Sequence, residues 1–317
     1  MDERDWDRQY ELTFNLWLER AECELLSGNF DKAEHLIGEL LQRAVSKVDQ
    51  AAVYHLKILL HTVKSENAQA LASALRCLRL FDIDLPAQPT WKQVQAEYEL
   101  VWRTLSGRSI ESLIDLPMMT DPEQQATMQV LSTLLGPTYF TDFHLFCLLV
   151  CRMVNLSSQH GTCGASAHAY GYWGVVLGPV FHRYQEGYRY AKLACDLVEK
   201  HDFVTYRAKA YRSLGIAALW TQPITIALDF NQAAFRAASE TGDLTYACYS
   251  VDRSVLLLLL RNDPLDTVWR ESETGLDFVR KAGYGGIADN LVSQQRFIAT
   301  MQGRTATPPI VRQCAVR

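Results

Sequence analysis

Residues 17–33 read WLERAECELLSGNFDKA. A large aromatic, Trp17, is followed one helical turn later by the small Ala21. Gly28-Asn29-Phe30-Asp31 then makes a turn, and the small Ala33 follows it. Small residues let two antiparallel helices approach closely, and an aromatic between them wedges the pair. Glycine takes the left-handed backbone that ends a helix without steric cost. Residues 9–27 therefore predict one helix, with Leu12, Leu16, Ala21 and Leu25 inward. Residues 31–46 predict a second, with Ala33, Ile37, Leu40 and Leu41 inward.

The layout returns 37 residues on, over 48–63 and 66–82, where Tyr54 takes the place of Trp17 and Ala70 that of Ala33. This spacing resembles the tetratricopeptide repeat, a helix pair of about 34 residues. Pro86 and Pro89 close the second unit, because proline cannot continue a helix. Thr90 is an N-cap before Trp91, opening a helix to Ser106-Gly107. A short helix is expected from about Ser109 to Ile114, then a loop, DLPMMTDP, over 115–122. The next helix starts at Asp121 with Pro122 in its first position and ends at Gly136-Pro137. Further helices are expected near 140–158, 163–177, 182–201, 204–220, 223–241, 244–261, 264–282 and 286–302. Gly283 is a helix C-cap and turn, not part of a dinucleotide loop.

Hairpin turns between alternating segments are missing, and the total of roughly 15 helices far exceeds the ~30–35% helix of ordinary domains. The expected fold is all-α: an α-solenoid or superhelix of antiparallel helix pairs, TPR-like. Residues 1–8 are a lead and 9–136 the TPR-like repeats. Residues 137–304 continue the superhelix, as the same or a second subdomain, and 305–317 form a loose tail with two prolines. The stretch 137–180 is apolar on more than one helix face, which suits a core where two arrays meet.

With 36 acidic and 31 basic residues the net charge is −5, and no basic face speaks for nucleic acid. The charged start lacks a secretory core, and no apolar run reaches the ~20 residues that a membrane helix needs. The expected location is the cytoplasm. The eight cysteines are scattered, mostly within apolar helical patterns, and are read as reduced, mostly buried small hydrophobes. The C-terminal Cys314-Ala-Val-Arg outlines a prenylation box, but its last residue is wrong for one.

Signatures of catalysis are lacking: no phosphate loop, no kinase loop at His182-Arg183-Tyr184, no metalloprotease or hydrolase motif. His144, Cys147 and Cys151 share a helix face, with His160 and Cys163 further on. A zinc site can use such residues, yet the apolar helix favours packing. The Gln-His-Gly-Thr-Cys link reads as a turn relaxed by Gly161. The tryptophans at 17, 91, 102, 173, 220 and 269 read as wedges between helices. No cofactor, metal or catalytic residue is assigned, and the chain is read as a non-enzyme.

Five ordered strings carry a wider resemblance: ERAECELLSGNFDKAE at 19–34, DLPMMTDPEQQATMQVLSTLL at 115–135, HGTCGASAHAYGYWGVVLG at 160–178, ASETGDLTYACYS at 238–250 and QQRFIATMQGRT at 294–305. Together they resemble the helical region of very large bacterial signalling proteins. Those join a serine/threonine-kinase-like domain, an AAA-type ATPase, this helical region, a GAF domain and a sensor histidine kinase. The resemblance implies a relay between an ATPase switch and an output kinase, and no chemistry for this segment. None of the family's catalytic residues maps onto a position here. The chain is thus expected to be a truncated product, a split component or an excised piece.

The function expected is a non-catalytic protein-interaction and signal-relay module with kinase or ATPase modules as partners, and neither nucleic acid nor membrane. A solenoid binds along the concave face lined by the first helix of each pair. Asn15, Leu18, Glu22, Leu25, His55 and Leu59 are the candidate partner-binding residues on it. Two alternatives stay open: a small-molecule sensor with a pocket in the irregular middle near Tyr139–Trp173, and a metal- or thiol-dependent enzyme using the Cys/His cluster.

Overall fold

The computed structural model describes residues 3–105 and 107–305. The expected tail, Thr305 apart, and Cys314 lie outside them. Among the described residues there are fifteen α-helices and no strand. They are α1 (Glu3–Arg8), α2 (Tyr10–Leu26), α3 (Phe30–Arg43), α4 (Lys47–Val63), α5 (Asn67–Arg79) and α6 (Trp91–Leu105). A 3-10 turn at Glu111–Asp115 leads to α7 (Pro122–Thr141), α8 (Phe143–His160) and α9 (Gly164–Phe181). Then follow α10 (Tyr184–Lys200), α11 (Val204–Ala218), α12 (Ile224–Thr241), α13 (Leu244–Leu260), α14 (Leu265–Lys281) and α15 (Gly285–Met301).

Short polar side chains start several of these helices. Ser46 and Asp49 form a reciprocal capping box on α4. Asp121, Asp142 and Asp243 accept backbone N–H groups at the starts of α7, α8 and α13. Such caps satisfy amides that the first turn leaves without partners. Gly28, Gly242 and Gly283 carry the positive φ that the helix ends require.

The helices pack in two rows. α2, α4, α7, α9, α11, α13 and α15 each touch the next and form the inner row. α3, α5, α10, α12 and α14 lie against it from outside. The inner row passes from even to odd members because α6 is an added helix that packs on α8. In the middle, α8 and α9 are buried on all sides, from Leu145 to Cys151 and from Ala165 to Leu177, with Trp173 fully enclosed. Glycines permit this. A Cβ on Gly174 would run into the Gly187 carbonyl oxygen of α10, and one on Gly171 would lie 2.8 Å from Ser213 Cβ of α11.

Several local expectations are corrected. Leu12 and Leu16 are 55% and 47% exposed, not inward. The buried stripe of α2 is Phe14, Ala21 and Leu25, and a two-residue offset turns a side chain about 200° away from Phe14. α7 does not end at Gly136-Pro137 but runs through to Thr141, and α9 runs through Gly178-Pro179 to Phe181. Those glycines serve contacts across helices: a Cβ on Gly136 would lie 3.2 Å from the Tyr249 hydroxyl, and one on Gly178 2.9 Å from the Tyr184 ring. Each proline sits within a turn or so of its helix end, where one lost hydrogen bond is tolerable. Trp220 is 59% exposed beside Tyr184 and wedges no helix pair. The 137–180 middle is filled rather than hollow around Trp173, which meets Tyr98 and Trp102 at ring-centroid distances of 5.6 and 6.1 Å.

Gly174→Ala should lower the free energy of unfolding by about 1–3 kcal/mol or more, because backbone cannot move aside as a side chain can. Gly38 lies exposed in α3 with no atom within 4 Å of an added Cβ. Gly38→Ala should instead raise stability by roughly 0.5–1 kcal/mol. Urea denaturation followed by helical circular dichroism measures both, and equal effects would refute the close-approach account.

Candidate functional site

The inner row curls until its two ends meet. A Cβ on Gly283, between α14 and α15, would lie 3.5 Å from the Phe30 ring, and one on Gly286 3.2 Å from Ser65 Oγ. Val63 packs against the apolar cluster of α13–α15. Between the ends the curl encloses a cavity of about 640 Å³. Leu18, Glu22 and Leu25 of α2 and His55 and Leu59 of α4 form one wall. Gln129, Ser132 and Thr133 of α7 form the floor. Tyr206 and Lys209 of α11, Asp243, and Tyr246 and Tyr249 of α13 form the facing wall. Five of the six residues assigned to a concave face thus come together on one wall. Asn15 is exposed and is not part of the lining.

The facing wall is built around one ion pair. Lys209 Nζ donates to Asp243 Oδ2 at 2.6 Å, with both side chains about one-fifth exposed. The same ammonium lies 4.7 Å from the Tyr246 ring centroid and 5.3 Å from that of Tyr206. Ring faces attract a cation and hold it in place. Asp243 Oδ1 meanwhile caps α13 by accepting from the Tyr246 N–H at 3.1 Å. One carboxylate therefore starts a helix and neutralises the cavity's lysine.

Two imidazoles brace the floor. His55 Nδ1 contacts Thr133 Oγ1 at 2.7 Å, and that hydroxyl donates to the Gln129 carbonyl at 2.8 Å. With that hydroxyl proton directed at Gln129, Nδ1 is assigned as the donor to Thr133. Burial, with the Lys209 charge adding to it, pushes the His55 imidazole down from 6.5 to about 4. His168, fully buried on α9, spans Ser132 Oγ at 2.7 Å and the Tyr246 hydroxyl at 2.8 Å. Burial, then the Lys209 and Arg212 charges, hold it well below the usual histidine range. The Tyr249 and Tyr284 hydroxyls meet at 2.9 Å and tie α13 to the entry of α15.

The thiol and imidazole candidates do not converge. Cys147 and Cys151 point into the core while His144 is exposed against Trp91. Burial pushes the Cys147 thiol up to about 12, against nucleophilic use. Cys163 starts α9, its sulfur 3.6 Å from Ser166 Oγ, and His160 is exposed. Among the described residues no three His, Cys, Asp or Glu side chains are grouped to hold a metal. Nor is any helix among them long and apolar enough to cross a membrane. Lys209, Asp243, Tyr206, Tyr246 and His168 escaped the sequence reading. The pairing of Asp243 with Lys209 spans 34 positions and leaves no local pattern.

Architecture and cavity define an all-α helical-repeat protein with an enclosed concave face. No family model matches the sequence. The chain is similar to "Hybrid signal transduction histidine kinase G" of Dictyostelium discoideum, 21% identical over 333 aligned residues, an alignment that takes in 97% of this chain. It spans only about a tenth of that protein's length, 10%. The similarity points to a relation with signal-transduction proteins.

The neutral imidazoles make stability depend on pH. Unfolded, His55 titrates near 6.5; folded, it does so at about 4. Below pH 6.5 the unfolded chain gains a proton that the folded one refuses, so stability present above 6.5 falls as pH drops toward 4. His168 adds to the fall in the same direction. His55→Asn keeps a donor for Thr133 but cannot titrate. Its urea midpoint should decline less steeply than the parent's between pH 6.5 and 4. Parallel declines would show that the imidazole is not held neutral.

Proposed function

We propose that this chain is a non-catalytic relay segment of a histidine-kinase signalling system, acting in the cytoplasm through contacts with kinase or ATPase modules. The observation that carries this reading is the alignment with a hybrid signal transduction histidine kinase along 97% of the chain, end to end and not confined to one motif. The curled inner row supports it mechanically. A small rotation at each helix-to-helix step adds up along a solenoid and changes how its ends meet. The concave wall carrying Leu18, Glu22, Leu25, His55 and Leu59 opens at that meeting place, with the exposed Glu22 at the rim. A module that touches both ends can read or set the curvature.

The immobilised chain should retain purified histidine kinase or ATPase modules encoded by the same organism, and Glu22→Lys should weaken retention about tenfold or more. Retention unchanged by Glu22→Lys removes this rim from the interface. If no such module is retained, the relay reading fails.

A further inference from the structure

The other charged groups around the cavity are paired, while Glu22 has no ion-pair partner among the described residues and stays exposed. Lys209 is taken by Asp243, and Lys281 by Asp277 at 2.7 Å. Both imidazoles are held neutral by burial. A ligand bearing a full charge meets no unpaired opposite charge on the floor or the facing wall, and would shed its hydration to enter. Hydrogen bonding differs. Since His55 donates through Nδ1 to Thr133, its Nε2 keeps the lone pair, and that atom has no partner among the described residues. The cavity that His55 lines is bounded by aliphatic Leu18, Leu25 and Leu59 and by Tyr206, Tyr246 and Tyr249.

We infer that the cavity binds an uncharged, ring-bearing small molecule that donates a hydrogen bond to His55 Nε2. A space of about 640 Å³ suits a ligand of drug-like size. Ring faces and leucines supply the apolar contact, and one acceptor orients the molecule. The Lys209–Asp243 pair stays closed beneath the ligand and excludes charged analogues. Such a site stands independently of the relay reading, since it needs no partner protein.

Calorimetric titration of the full chain with β-naphthol, β-naphthyl methyl ether and β-naphthoate tests it. These share one ring skeleton and differ in donor and charge. β-Naphthol should bind at one saturable site. The ether, lacking the donor, should bind about three- to tenfold more weakly, as the loss of one hydrogen bond implies. β-Naphthoate should bind more weakly still. His55→Asn should bring β-naphthol down to the level of the ether. Leu59→Trp, which fills the cavity, should abolish binding in protein whose urea midpoint matches the parent's. If it lowers the midpoint, His55→Asn decides alone. No saturable binding of any probe, naphthoate binding as tight as naphthol, or His55→Asn leaving the naphthol preference intact overturns the proposal.

Discussion

Backbone meets backbone where α9 crosses α10. Gly174 and Gly187 face one another there, and a Cβ on Gly187 would lie 2.5 Å from the Gly174 carbonyl oxygen. Gly171 lets the Ser213 side chain of α11 approach in the same way. These glycines lose more backbone freedom on folding than other residues would. In return α9 sits at close contact in the middle of the inner row. That position places His168 where it can reach Ser132 on α7 and Tyr246 on α13 together. α7 and α13 are thereby braced by an imidazole, and the cavity is the space above this brace. A wider α9–α10 crossing would move His168 and with it both neighbouring walls.

Apolar helix faces alone fix a register poorly, because alanines slide past alanines at little cost. α11 and α12 meet partly through such residues, among them Ala218 and Ala227. Buried polar groups supply the missing specificity. Asn231 of α12 donates to the Ser250 carbonyl and to Ser254 Oγ of α13, both at 2.9 Å. Arg212 of α11, 3% exposed, donates to the Tyr172 hydroxyl at 2.9 Å and lies over the rings of Tyr139 and Tyr249 at 5.8 and 5.3 Å. A buried guanidinium held by a hydroxyl and ring faces tolerates few alternative arrangements. Slipping α11 by one turn would take that guanidinium away from its hydroxyl and ring faces inside the core.

Local chemistry made the helices legible and long-range chemistry hid the site. The Trp17/Ala21/Ala33 spacing and its return at Tyr54/Ala70 announced the helix pairs, and Ala21, Ala33 and Ala70 are all fully buried. Gly283, Asp121 and Thr90 marked ends that the structure keeps within a residue or two. Gly136-Pro137 misled, since a glycine chosen for a tyrosine across the interface looks like one chosen for a turn. Five cavity residues were legible because α2 and α4 repeat in phase. The facing wall comes from α11 and α13, far along the chain and outside that phase. His168 lay hidden in an apolar run, where nothing local distinguishes a brace from packing.

The two ends of the curl meet through few groups. Phe30 lies against Gly283, Ser65 beside Gly286, and Val63 against the last helices. The inner row itself is continuous, seven helices each touching the next. Separating the ends therefore breaks a small seam, while the strain spreads over the six steps of the row. Small shifts at packed interfaces are the usual source of large movements. The cavity lies between the two ends, so if the ends were to separate, occupancy and curvature would be coupled. An occupant touching both walls favours the closed curl by its difference in affinity for the two forms, and by no more than that difference. The same relation runs in reverse: whatever holds the ends together from outside must tighten the cavity's hold on its occupant by an equal factor.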